Sequence, residues 1–208
     1  MSSSSIWVMD EKFYGERIAG FNNSWLFSPT VCDEIYHKYL PKERFDSRGR
    51  ECCFITQLFC DRTLFNRLNE LINETENQVD RICWEIANQQ IFFTRDKMFV
   101  AKCIEEFSNE RDIKTLKERA KEIADCIRCI DEVKHPYFIF KNTSCDDNVE
   151  WWFSGYDEDD EYEERSLKSV NKYVTEFVQI ENNKILKFVS NLDFFDRSVS
   201  KAIEEEAE

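Results

Sequence analysis

HPYFIFKNTSCDDNVEWWFSGYDEDDEYEE, residues 135–164, joins two short aromatic runs to the densest block of negative charge in the chain. Residues 136–140 and 149–154 alternate as antiparallel strands do, with the turn-rich NTSCDDN between them, so the stretch predicts a hairpin with an acidic extension. Strands here, following a long region of helical periodicity, make the expected fold α+β. Side chains alternate across a strand, so Trp151 and Trp152 cannot both face one side. One ring should enter the core with Tyr137 or Phe138. The other looks outward, where it would anchor a partner, or lies under a covering helix.

Upstream of this stretch the pattern is mostly helical. Ile113, Leu116, Ala120, Ile123, Ile127 and Ile130 recur at helical spacing, which predicts one amphipathic helix over 110–132. A second helix starts at Asp96 and bears Phe99, Cys103, Ile104 and Phe107. Before it, Leu64, Leu68, Leu71, Ile72, Val79, Ile82 and Ile86 form a single stripe, read as one long helix capped by Asp61. These three helices are the expected framework. Residues 6–9 and 17–27 read as strands joined by a turn over 10–15, 53–60 as a buried strand, and 91–94 as a brief strand or elbow. Ser28 and Pro29 start a helix that presents Val31, Ile35 and Tyr39 to one side and stops at Pro41. His37 falls mid-helix as a partly exposed residue.

Downstream, Leu167, Val170, Val174, Phe177 and Val178 suggest a helix, as do Ile185, Leu186, Val189 and Leu192, before a fraying Glu-rich end at about 200–208. No repeat or padded linker interrupts the chain. One α+β domain over 1–208, helix-rich with short antiparallel strands, is the expectation.

Composition narrows the chemistry. With 4 Gly and 3 Pro among 208 residues, closely spaced phosphate-cradling glycines are absent. No apolar run is long enough to span a bilayer, and MSSSS lacks the flank of a secretory signal, so a cytoplasmic location is expected. Nine cysteines fit free thiols in a reducing compartment better than a disulfide framework. Cys126 and Cys129 form a lone C-x-x-C inside a helical pattern, without the second pair that zinc would need and without the helix-start context of a redox pair.

Catalytic readings find little support. His37 and His135 lack a nucleophile context, and Asp125, Glu132 and Lys134 fall on or beside a helix rather than a nuclease strand hairpin. Aligning Asp157, Asp159 and Glu161 with a calcium loop puts Tyr162 where glycine is required and Lys168 where the bidentate glutamate belongs. No cofactor and no metal are expected.

Charge is the remaining signal. The formal total is −14, and residues 146–164 hold ten acids and no base. The candidate partner-binding residues are therefore Trp151, Trp152, Tyr156, Asp157, Glu158, Asp159, Asp160, Glu161, Glu163 and Glu164. Extended, the run 157–164 would cover ~26 Å, about one charge per 4 Å, which approaches the spacing along one nucleic-acid strand. The nearly balanced first 135 residues, with 24 acids and 20 bases, exclude a whole-surface duplex mimic. The functional expectation is a non-enzymatic inhibitor that neutralises a basic, nucleic-acid-handling protein, such as a toxin or a defence complex, without touching nucleic acid or membrane itself. A metal-dependent enzyme using scattered carboxylates, a scaffolding subunit and a merely solvating acidic loop are the alternatives.

Overall fold

The computed structural model describes residues 3–11, 15–44, 48–50, 62–143, 154–156, 162–164 and 177–186. Among them are a four-stranded antiparallel sheet, five helices and two small strand pairs, an α+β fold. Strand β1 (Ser3–Met9) forms a hairpin with β2 (Gly15–Asn22). Its other edge pairs with β4 (Tyr137–Thr143), which in turn pairs with β3 (Ile91–Phe93), giving the order β2-β1-β4-β3. β4 therefore lies inside the sheet. The hairpin expected between 136–140 and 149–154 is not its pairing, because both edges of Tyr137–Ile139 are taken by β1 and β3; residues 149–153 lie outside the described set.

The two-sided burial of the central strands explains their composition. Ile6 and Val8 of β1, Phe138 and Phe140 of β4 and Phe92 of β3 face the helices and join the main core. Trp7, Met9, Ile91 and Ile139 point to the opposite face and are also buried. Strands covered on both faces read as continuous apolar runs. β2, at the sheet edge, instead alternates: Ala19 and Phe21 pack inward while the register slips past Ile18, a bulge that leaves that side chain exposed.

The helices are α1 (Ser28–Tyr39), α2 (Arg62–Glu74), α3 (Gln78–Ala87), α4 (Lys97–Asn109) and α5 (Lys114–Arg128). The stripe expected to be one helix is thus two. Asn77, extended at ψ 96°, breaks it and caps the second half by accepting from Asp80 N at 3.1 Å. α3 is the central helix, buried along its whole length from Asp80 to Ala87 and packed against α1, α2 and α4. α5 is shorter than the 110–132 expected: Glu110 ends α4, and Ile113 is extended before α5 begins. Its inner face is as expected, with Leu116, Ala120, Ile123 and Ile127 buried.

The C-terminal part departs most from expectation. Phe177 is in no helix, and Val178 forms a parallel bridge to Phe92, its N donating to Ile91 O at 2.8 Å beside β3. Ile180–Glu181 and Lys184–Ile185, here β7 and β8, form a hairpin across Asn182 and Asn183, whose φ values of 50° and 58° are those of a type I′ turn. The helix expected around 185–192 is absent from its described residues. This hairpin rests on α3, where Gln78 Oε1 accepts from Ile185 N at 2.8 Å. The expected strand at 53–60, residues 167–176 and the end from 187 onward lie outside the described residues.

Candidate partner-binding site

β5 (Ser154–Tyr156) and β6 (Tyr162–Glu164) pair antiparallel, with Ser154 opposite Glu164, Gly155 opposite Glu163 and Tyr156 opposite Tyr162. This places Tyr156, Glu163 and Glu164 of the expected site in one strand pair. Trp151, Trp152 and Asp157, Glu158, Asp159, Asp160 and Glu161 lie outside the described residues. Tyr162 lies opposite Tyr156, so Glu163 and Glu164 return beside Gly155 and Ser154.

The chain on both sides of this segment is anchored to the sheet. Residues 137–143 are β4, and Phe177 packs its ring against Tyr137 at 5.1 Å and Phe93 at 5.6 Å. Residues 144–176, with the acidic run inside them, therefore leave and rejoin the same pair of strands.

Elsewhere the helical surface neutralises itself. Residues 97–128 hold seven acids and eight bases. Arg128 donates to both oxygens of Glu105, at 2.8 and 2.5 Å, and to Asp125, which also receives Lys121 at 2.6 Å. Those bonds hold the Glu105 carboxyl below its ordinary range. Lys102–Glu106, Lys114–Glu118 and Arg119–Glu122 are further pairs. Asp125, the acid of the nuclease reading, is thus engaged by two cations. Among the described residues no His, Cys, Asp and Glu group is placed to hold a metal.

Two buried acids were missed by the sequence reading. Asp80 is fully buried on α3, where Tyr39 donates to its Oδ2 at 2.8 Å, Lys38 bonds the same oxygen, and Arg111 reaches Oδ1 at 3.4 Å. Arg111 also lies 3.3 Å over the Phe107 ring and 3.4 Å from Glu34. Burial, with Asp80 beside it, pushes the Tyr39 phenol up to about 12. The network ties α1 to α3 and to the end of α4, a structural duty. Glu85, one turn and more further along α3, is 2% exposed, and its Oε2 has no hydrogen-bond partner among the described residues. Burial pushes its carboxyl up to about 8, against the pull of Arg81. The only sequence signal for either was an acid on a helix whose apolar positions leave little room for a solvent face.

No family model matches the chain, and neither the curated proteins nor the solved structures compared with it give a match.

Proposed function

We propose that the protein is an acidic, protein-binding inhibitor that neutralises a basic, nucleic-acid-handling protein in the cytoplasm, in the manner of a toxin immunity protein or a phage anti-defence protein. The observation that carries this reading is the segregation of charge. Ten acids without a base occupy 146–164, whereas the helical surface over 97–128 balances its charges in local pairs. Unbalanced carboxylates held on a segment anchored at both ends raise the association rate of a basic partner and select against acidic ones. The pairing of β6 with β5 brings Glu163 and Glu164 back beside Gly155 and Ser154, and carboxylates gathered in this way suit the surface of a basic protein. Inhibition then follows from occupying the basic surface that the partner uses for nucleic acid.

The test is capture of the partner from the native host by the full chain, followed by assay of the partner's nucleic-acid binding or cleavage. Stoichiometric loss of that activity on adding the protein is the expected result. Turnover of DNA, RNA or nucleotides by the protein alone with Mg²⁺ or Mn²⁺, abolished by carboxylate substitutions, would replace the inhibitor with an enzyme.

A further inference from the structure

The C-x-x-C pair, set aside in sequence because it does not begin a helix, closes one. Cys129 is the residue that ends α5, and its N–H donates to Cys126 O at 3.1 Å as well as to Asp125 O at 3.3 Å. The closing turn is thereby drawn toward the tighter i,i+3 form, in which side chains three apart eclipse. In an α or a 3₁₀ turn, Cα atoms three residues apart are separated by roughly 5–6 Å, within the span that a disulfide bridges. Access differs from that of the other described cysteines. Cys129 is exposed and Cys126 half-buried, whereas Cys32, Cys83 and Cys103 are buried in the core. Burial, with Cys129, Asp125 and Glu122 nearby, pushes the Cys126 thiol above its ordinary value, so the exposed Cys129 is the one placed to react first.

We propose that Cys126 and Cys129 form a thiol–disulfide exchange site whose co-reactant is a small-molecule disulfide of the glutathione class. The Cys129 thiolate attacks one sulfur of that disulfide, forming a mixed disulfide and expelling one thiolate, which takes up a proton. The Cys126 thiolate then attacks Cys129 Sγ, closing the intrachain bond and expelling the second thiol. The protein loses two electrons and two protons, and the small disulfide becomes two thiols. In a reducing compartment the resting state is the dithiol. The pair is independent of the acidic segment, so it stands or falls apart from the inhibitor reading.

Trypsin makes the test direct, since cleavage after Lys121, Arg128 and Lys134 puts the two cysteines on separate peptides, 122–128 and 129–134. The folded full chain is incubated with oxidised glutathione at pH 8.5, quenched with acid, alkylated and digested without reductant. The expected result is that the two peptides are recovered joined, that Cys129→Ser abolishes the joined species, and that Cys126→Ser instead retains glutathione on Cys129. Recovery of wild-type Cys129 as a stable glutathione adduct with Cys126 free, or joining seen only in denaturant, would overturn the proposal. The wild-type result decides the matter even if a serine variant fails to fold.

Discussion

Asp80 and Glu85 lie on the same buried helix and show what separates a compensated buried charge from an uncompensated one. Asp80 is met by a phenol, an ammonium and a guanidinium, and replacing it leaves Arg111, which is only 10% exposed, to the more exposed carboxylates of Glu34 and Glu110. Asp80→Asn should cost about 3 kcal/mol in urea unfolding, as expected for removing one partner of a buried pair; a loss below ~0.5 kcal/mol would rank the network with surface pairs. Glu85 has a weaker counterpart in Arg81, which does not offset its burial, and its Oε2 has no hydrogen-bond partner among the described residues. Unfolded, its carboxyl ionises near 4.5, and folded near 8. Between those values the folded chain keeps a proton that the unfolded chain has released, so this residue makes stability fall as pH rises, by about 1.4 kcal/mol per unit. The penalty is absent below the lower value and complete above the upper one. Glu85→Gln should remove that slope, leaving the variant the more stable protein at pH 8 and nearly level with the wild type at pH 5. A wild-type-minus-variant difference that stays flat across this window would mean that Glu85 is ionised in the native state. Neither residue was legible in sequence, because an acid on an amphipathic helix reads as solvent-facing until the helix is known to be covered on every side.

At the level of elements, periodicity located the helices and local chemistry decided where they stop. The inner face of α5 was readable because Leu116, Ala120, Ile123 and Ile127 keep one phase, and Ile123→Ala should cost roughly 2–5 kcal/mol as a large-to-small change in a fully buried site. A change near zero in thermal unfolding would put that face outside the core. The break between α2 and α3 was missed because the apolar stripe stays in phase across it; the signal was Asn77, whose side chain caps α3. Asn77→Ala should cost about 1 kcal/mol, and an unchanged denaturation midpoint would show that the cap is dispensable. The β1–β2 hairpin was legible from its short local turn. The partners of β4 were not, since alternation identifies a strand but carries no information about which distant strand it joins. Asn182–Asn183 was the opposite case: two turn residues between short apolar runs were a hairpin signal that the helical spacing of 185–192 obscured.

Over the whole molecule, residues 97–128 balance their charges in local pairs, whereas residues 144–176, between β4 and Phe177, hold most of the net charge. The location of that charge was plain in the sequence, whereas its shape was not: alternation suggested a hairpin of β4 with the acidic stretch, and the register instead folds the stretch onto itself as β5 and β6. Exposed charges chiefly set association rates and their salt dependence, while desolvated aromatic anchors set residence time. Trp151→Ala and Trp152→Ala should therefore differ, the outward ring of the two speeding dissociation at a cost of about 2 kcal/mol and the inward ring lowering stability. The most direct measurement is the association rate of the captured partner with the wild type and with a variant carrying Asp157→Asn, Glu158→Gln, Asp159→Asn, Asp160→Asn and Glu161→Gln, read by stopped flow at low and physiological salt. The variant should fold normally, associate at least tenfold more slowly at low salt, and lose most of the salt dependence. An unchanged rate with an unchanged salt slope would make the acidic run a solvating loop and contradict the account.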